Sequence, residues 1–353
     1  MANGVISGAV LRAARKTAGL TQEQLAGALG TDPDTVKGWE SGRRALARVK
    51  AGRLAQVRRR LRSLGARAHL LALLEPAVDA DDFTARAIEG DCGPLANDVI
   101  TRPWTGLVAW AAAGDVPSAA ADVAAKRALL SRADAAAFFA SVRQAADRAP
   151  AAESGMLLRR QAYYLAAWDA SPNGIAWLGD AGRAVNKQLR LTGKWSPGWP
   201  VARSLAVAQS HRGDREPLRA FIRRELADDA CDLANLTYWA YWIGADAEPA
   251  SDDGFMAERS LDTQQAAALL RHLARGLCAE QPYVELSVHA ILSIVRRWPG
   301  LLGYDQRTAA VLCENSALLL DEAPLPAFSR KELSHVHLAA SGPCGLLPGK
   351  GSR

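Results

Sequence analysis

The chain has 353 residues, 49% apolar, 6% aromatic and 23% charged, with a formal net charge of +6. That length suits two domains, or one small and one large, with apolar residues enough for a sizeable core. Apolar runs stop short of the roughly 18–20 residues of a membrane span, the opening MANGVISGAV lacks a secretory signal's basic and apolar segments, and Cys92, Cys231, Cys278, Cys313 and Cys344 never pair as C-x-x-C, which argues against membrane insertion, a disulfide framework and a structural zinc site, and for a cytoplasmic protein.

Arginine outnumbers lysine 35 to 8, a bias that a GC-rich genome explains. The placement of charge is another matter. Residues 1–67 hold 14 Lys/Arg against 4 Asp/Glu, and the remainder holds 29 against 33. A basic domain at one end is the electrostatic footprint of a polyanion binder.

In chain order, Gly8 to Ala18 reads as a first helix with Val10, Leu11 and Ala14 on one face, ended by Gly19. Thr21 with Gln24 makes a capping box for a second helix over 22–29, whose inward residues are Leu25, Ala26 and Leu29. Gly30 supplies a left-handed turn. Asp32 caps a third helix that has Pro33 at its first position, where a missing N–H costs nothing. Val36 and Trp39 face inward, and Gly42 ends this helix. An amphipathic helix is predicted from Arg44 to Leu64, with Leu46, Val49, Leu54, Val57, Leu61 and Leu64 as its stripe and the run Arg58, Arg59, Arg60, Arg62 on its surface.

Residues 68–95 read as a linker, with Pro76 and the acidic cluster Asp79, Asp81 and Asp82. Beyond them helices are predicted near 104–113, 118–130, 133–147, 153–169, 174–191, 200–211, 216–227, 232–243, 261–275, 283–298, 305–320 and 329–338. No segment alternates with period two, so strands are not expected. The expected fold is all-α: a head over 1–67, a linker over 68–95, a large helical domain over 96–340 and a disordered tail over 341–353. Gly114-Asp115 and Gly213-Asp214 look like hairpin junctions, and Gly179-Asp180 precedes the latter by 34 residues, the tetratricopeptide period. A helical-hairpin array of that kind and an irregular bundle both remain open.

The segment LTQEQLAGALGTDPDTVKGWESGRR, Leu20 to Arg44, resembles the helix-turn-helix of the phage-repressor and Cro (XRE-type) family. The shared features are the Leu-Thr-Gln-x-x-Leu-Ala opening, Gly30, Val36 and the Trp-Glu-x-Gly-x-Arg close. The resemblance implies a recognition helix in the major groove of double-stranded DNA, with Pro33, Asp34, Thr35, Lys37 and Gly38 as base-contacting positions. Lys37 suits guanine O6 and N7, and Asp34 a cytosine amine. It also implies phosphate contacts from Gln22, Ser41, Arg43 and Arg44. Arg15 with Glu40, and Leu25, Ala26, Gly30, Val36 and Trp39, then hold the domain together. Pro33 and Gly38 stand where many relatives carry base-reading side chains, which shifts weight to DNA shape. Such domains bind as dimers to half-sites about 34 Å apart, so a homodimer or higher oligomer is expected. The Leu54–Leu64 stripe and the large helical region are its candidate contacts.

The C-terminal region carries nine of the ten tryptophans. They read as packing anchors or, in the sharper alternative, as an aromatic ligand pocket from Trp195, Trp199, Tyr238 and Trp242. No G-x-S-x-G, H-E-x-x-H or dinucleotide-binding glycine pattern is present, so no catalysis, metal or cofactor is expected. The function that follows is a sequence-specific DNA-binding transcriptional regulator, with a helical domain for oligomerisation or for a small-molecule, peptide or protein effector. The alternative is a protein-interaction component tethered to DNA, as in plasmid maintenance, phage defence or an antitoxin-like role.

Overall fold

The computed structural model describes residues 4–188 and 192–342. Among them all regular structure is helical, and no helix is long and apolar enough to cross a membrane. They form two compact units, one reaching to Ala149 and taking in Trp168–Gly174, the other comprising Pro150–Ala167 and the described residues from Ile175 onward.

The first unit contains α1 (Val5–Thr17), α2 (Gln22–Leu29), α3 (Pro33–Glu40), a 3₁₀ turn (Leu46–Arg48), α4 (Ala51–Ser63), α5 (Ala68–Ala72), α6 (Leu74–Ile88), α7 (Arg102–Ala113) and α8 (Arg132–Arg148). Helix α1 buries Ile6, Val10, Leu11 and Ala14 and packs on α3, α5 and α6. It starts before Gly8, which is an interior residue. A Cβ at Gly8 would lie 2.4 Å from the Trp39 carbonyl oxygen, so the missing side chain is what lets α1 and α3 touch. The first amides of α1 have no cap from their own segment. Asp81 of α6 supplies it, accepting from the N–H groups of Ile6 at 2.8 Å and Ser7 at 2.9 Å. Burial raises the pKa of this carboxyl despite those donors.

Three expectations are corrected here. Residues 68–95 are no linker: α5 and α6 are helical, and Phe83 of α6 meets Trp104 of α7 and Phe138 of α8 at 5.0 and 6.0 Å. Pro76 misled the reading, yet it lies in the first turn, where a helix has no use for the N–H. The helix expected from Arg44 begins only at Ala51, after the 3₁₀ turn. The helix expected over 118–130 is a 3₁₀ turn, Ser118–Ala120, followed by irregular chain. Leu129 and Leu130 donate their amides to the Ala111 carbonyl near the end of α7, an attachment that an alanine-rich composition does not reveal.

The second unit contains α9 (Met156–Ala166), most of α10 (Pro172–Gln188), α11 (Trp199–His211), α12 (Glu216–Glu225), α13 (Asp229–Trp242), α14 (Phe255–Glu258), α15 (Thr263–Gly276), α16 (Val284–Arg297), α17 (Leu301–Tyr304), α18 (Gln306–Glu322) and α19 (Ala327–Ser341). The hairpin α15–α16 stacks on the hairpin α18–α19, α15 against α18 and α16 against α19. The 34-residue spacing has no structural counterpart, because Gly179-Asp180 lies inside α10 while Gly213 ends α11 in a left-handed turn. The tail expected over 341–353 lies mainly at 343–353, outside the described residues.

His289 of α16 clamps this unit, 3.4 Å from Asp232 of α13 and 2.8 Å from Glu332 of α19, while Arg297 also reaches Asp232 at 3.2 Å. Burial alone lowers the His289 pKa; the two carboxylates outweigh it and raise the value from 6.5 to about 9. The folded state therefore binds this proton more tightly than the unfolded state. The stabilisation is complete below the unfolded pKa and is lost as pH rises through about 9. Stability is expected to fall by roughly 3 kcal/mol across that window, measured by urea unfolding followed by tryptophan fluorescence. His289→Asn should flatten the slope; an unchanged slope refutes the assignment.

Candidate nucleic-acid interface

The geometry of the head starts with its caps. The Thr21 hydroxyl accepts from the Gln24 N–H at 3.1 Å and the Gln24 side chain accepts from the Thr21 N–H at 2.8 Å, completing the capping box. Gly30 turns the chain at φ 60°. Asp32 caps α3, accepting from the Asp34 N–H at 2.7 Å, with Pro33 half-buried at the first helical position. Leu25, Ala26, Leu29, Val36 and Trp39 are buried where α2 packs on α3.

Behind α3 sits a buried carboxylate. Arg15 donates to the two Glu40 oxygens from Nε at 2.6 Å and Nη2 at 3.0 Å, and the Glu40 side chain is fully buried. Gln22 donates to the same carboxylate at 2.7 Å. Arg12, which the sequence reading missed, donates to the Glu40 carbonyl at 2.8 Å. Four side chains from three helices thus lock the end of α3 in place. Arginines of α4 do the same for α2: Arg53 and Arg60 donate to the carbonyls of Leu29 and Ala28, at 2.8 and 3.2 Å, where a helix C-terminus carries partial negative charge. Within the arginine run, Arg60 is thereby engaged, Arg58 meets Glu75 at 3.3 Å, and Arg59 and Arg62 are exposed.

On the outer face of α3, Asp34 and Lys37 are exposed and only weakly paired, at 3.9 Å. Thr35 is half-buried and accepts from Arg44 Nη1 at 2.7 Å. Arg44 runs across the helix, and a Cβ on Gly38 would meet its Cδ at 2.9 Å. Gly38, one of the positions expected to contact bases, is buried under that arginine. Gln22, read as a phosphate contact, spends one amide N–H on Glu40. Ser41 is exposed and donates to the Gly38 carbonyl at 3.2 Å. Arg43 is exposed with no protein partner among the described residues, as are Arg48 and Lys50 beyond it. The last two were missed, although their nearness to Arg43 and the local charge excess were the signal. Of the Leu54–Leu64 stripe expected as a dimer contact, Val57 and Leu61 are buried in the unit's own core, and Leu54 and Leu64 are half-buried.

In the second unit the four aromatic residues suggested as a pocket do not gather. Trp199 packs on Phe221 at 5.2 Å, whereas Tyr238 and Trp242 stack at 6.1 Å in a different cluster. No described tryptophan is fully exposed, so most act as packing anchors. No group of His, Cys, Asp or Glu suited to a metal ion occurs among the described residues.

A family model described as helix-turn-helix matches residues 11–57. No curated protein and no solved structure matches the chain.

Proposed function

From the premise that residues 11–57 are a helix-turn-helix of the XRE type, a DNA-binding regulatory element, we propose that the protein is a sequence-specific transcriptional regulator. One observation carries the reading: the outer face of α3 is open at Asp34 and Lys37 while its inner side is fixed by the Arg15–Glu40–Gln22 cluster. A helix held rigidly from behind and open in front is what entry into a major groove about 12 Å wide requires. Lys37 and Asp34 read bases, Thr35 joins them when Arg44 swings away to the backbone, and Arg43, Arg44 and Ser41 hold phosphates. The protein acts in the cytoplasm as a homodimer or higher oligomer, and the second unit receives an effector or assembles copies, without catalysis.

Selection of binding sites from random duplex DNA with the full-length protein tests this. An enriched site with two related half-sites about one helical turn apart supports it; absence of affinity for any duplex in low salt refutes it. Two variants separate the roles. Lys37→Ala is expected to relax preference at one base pair, costing about 1–3 kcal/mol on the selected site. Arg43→Ala is expected to weaken binding evenly across sequences and reduce the salt slope by about one. Titrations at several salt concentrations distinguish them, and an unchanged sequence preference in Lys37→Ala removes that residue from base reading.

The coverage of Gly38 by Arg44 and the engagement of Thr35 by the same arginine leave few groups open for direct readout. That favours, as the second reading, a DNA-tethered interaction component whose binding shows a steep salt slope and little discrimination.

A further inference from the structure

Helices α10, α11 and α12 of the second unit enclose a cavity of about 370 Å³, a size typical of small-molecule sites. Val185, Leu205, Ala206, Ala220 and Phe221 give it apolar walls. Gln209 of α11 adds an amide that has no hydrogen-bond partner among the described residues. That amide lies against Gly182 of α10, where a Cβ would lie 2.2 Å from its Nε2. Short side chains therefore make the room, alanines on α11 and α12 and a glycine on α10.

One lining residue is out of place in such a wall. Glu225, the last residue of α12, is 1% exposed and belongs to no ion pair among the described residues. One of its carboxylate oxygens accepts from the Gly193 N–H at 2.9 Å, and the other has no protein donor among those residues. A helix C-terminus is already the negative end of its dipole, so α12 itself opposes this charge. Burial, then Asp228, then Glu225 push the Cys231 thiol up to about 12, so the field of this carboxylate reaches into the unit. Arg224, also on the lining, does not pair with it and is exposed, where water and salt screen its charge. Buried charges are ordinarily paired. Water in the cavity solvates the carboxylate, but it neither neutralises the charge nor gains from the apolar walls.

We propose that this cavity binds a small organic amine as its cation, the ammonium donating to Glu225 with the Gln209 amide as a second partner, and the hydrocarbon body lying against Leu205 and Phe221. A charge-assisted hydrogen bond to a carboxylate in a low-dielectric wall fixes the orientation, and burial of the body supplies the rest of the affinity. As the effector site of a regulator this rests on the function proposed above. Binding itself is measured without DNA, so failure of either claim leaves the other standing.

The test uses the full-length protein at neutral pH and three probes that share one body: phenethylamine, the neutral phenethyl alcohol and the anion phenylacetate. Tryptophan fluorescence and titration calorimetry are the readouts. Phenethylamine is expected to bind saturably and about tenfold tighter than the alcohol, the margin of a charged hydrogen bond over a neutral one, with phenylacetate the weakest of the three. Glu225→Gln keeps an acceptor for the Gly193 N–H and should bind amine and alcohol alike, a change of preference that a mere loss of structure does not produce. Half-buried Ala220 gives a second variant. Ala220→Leu fills the cavity and is expected to weaken phenethylamine binding about tenfold, a test that stands even if Glu225→Gln does not fold. Any one of four results overturns the proposal: no saturable binding of phenethylamine, phenylacetate binding as tightly as the amine, an amine preference kept in a folded Glu225→Gln, or full affinity in a folded Ala220→Leu.

Discussion

Asp253→Ala is expected to destabilise the second unit by about 3–5 kcal/mol, the usual cost of removing one partner from a buried ion pair. Arg160 is 1% exposed, and its Nε lies 2.8 and 2.7 Å from the two Asp253 oxygens. Burial on its own lowers the pKa of this arginine, but Asp253 outweighs it and the net shift is upward. Without the carboxylate a full charge stays in a dry site beside the cation of Arg203, with the Tyr238 hydroxyl accepting from Nη1 at 3.4 Å. A loss of that size is a large part of a domain's total stability. The pair itself is worth much less than its rupture costs, because burying two ions is expensive. Arg160→Met combined with Asp253→Leu should therefore recover most of the loss. Urea unfolding followed by tryptophan fluorescence measures both. A loss below 1 kcal/mol in Asp253→Ala, or a double variant no better than the single, contradicts the assignment.

Glu40→Ala comes next, with an expected cost of about 3 kcal/mol to the first unit and a loss of DNA affinity beyond it. The substitution strands Arg15, which is 9% exposed, and frees Gln22, while Arg12 keeps its bond to the backbone carbonyl at position 40 and loses only its 3.6 Å contact with the carboxylate. A partly buried arginine recovers some hydration, which places the cost at the lower end for broken pairs. Glu40→Gln keeps an acceptor and the shape, and should lose less. Chemical unfolding of the full chain measures the stability change, and titration of the selected duplex well below the unfolding midpoint measures the affinity change. Full affinity in a folded Glu40→Ala means that locking α3 does not matter for binding.

The head was legible because its signals are local. The caps at Thr21 and Asp32, the turn at Gly30 and the pairing of Arg15 with Glu40 stand where the sequence places them. Most C-terminal helices were legible for the same reason, their apolar faces repeating over a dozen or more residues. What failed depends on distant partners. Nothing near Asp81 shows that it caps α1 across 75 residues, and nothing around Leu129 announces that its amide goes to Ala111. Short helices such as α14 and α17, four residues each, carry too little periodicity to detect. At the site, exposure of Lys37 followed from helix geometry and that of Arg43 from its place in the turn after α3, whereas Arg44 folding over Gly38 is a side-chain choice without a sequence signature.

The reach of Asp81 to the start of α1 bears on how this molecule can be taken apart. A fragment ending at Arg67 would keep every residue of the helix-turn-helix match yet strip α1 of its packing against α5 and α6 and leave two amides without their carboxylate. The compact unit runs instead to Ala149, and it takes in a strap from later in the chain, where Asp169 meets Arg143 and Trp168 donates to Asp115. Grafting this reader onto another protein is then a matter of transplanting two separate stretches of polypeptide rather than one.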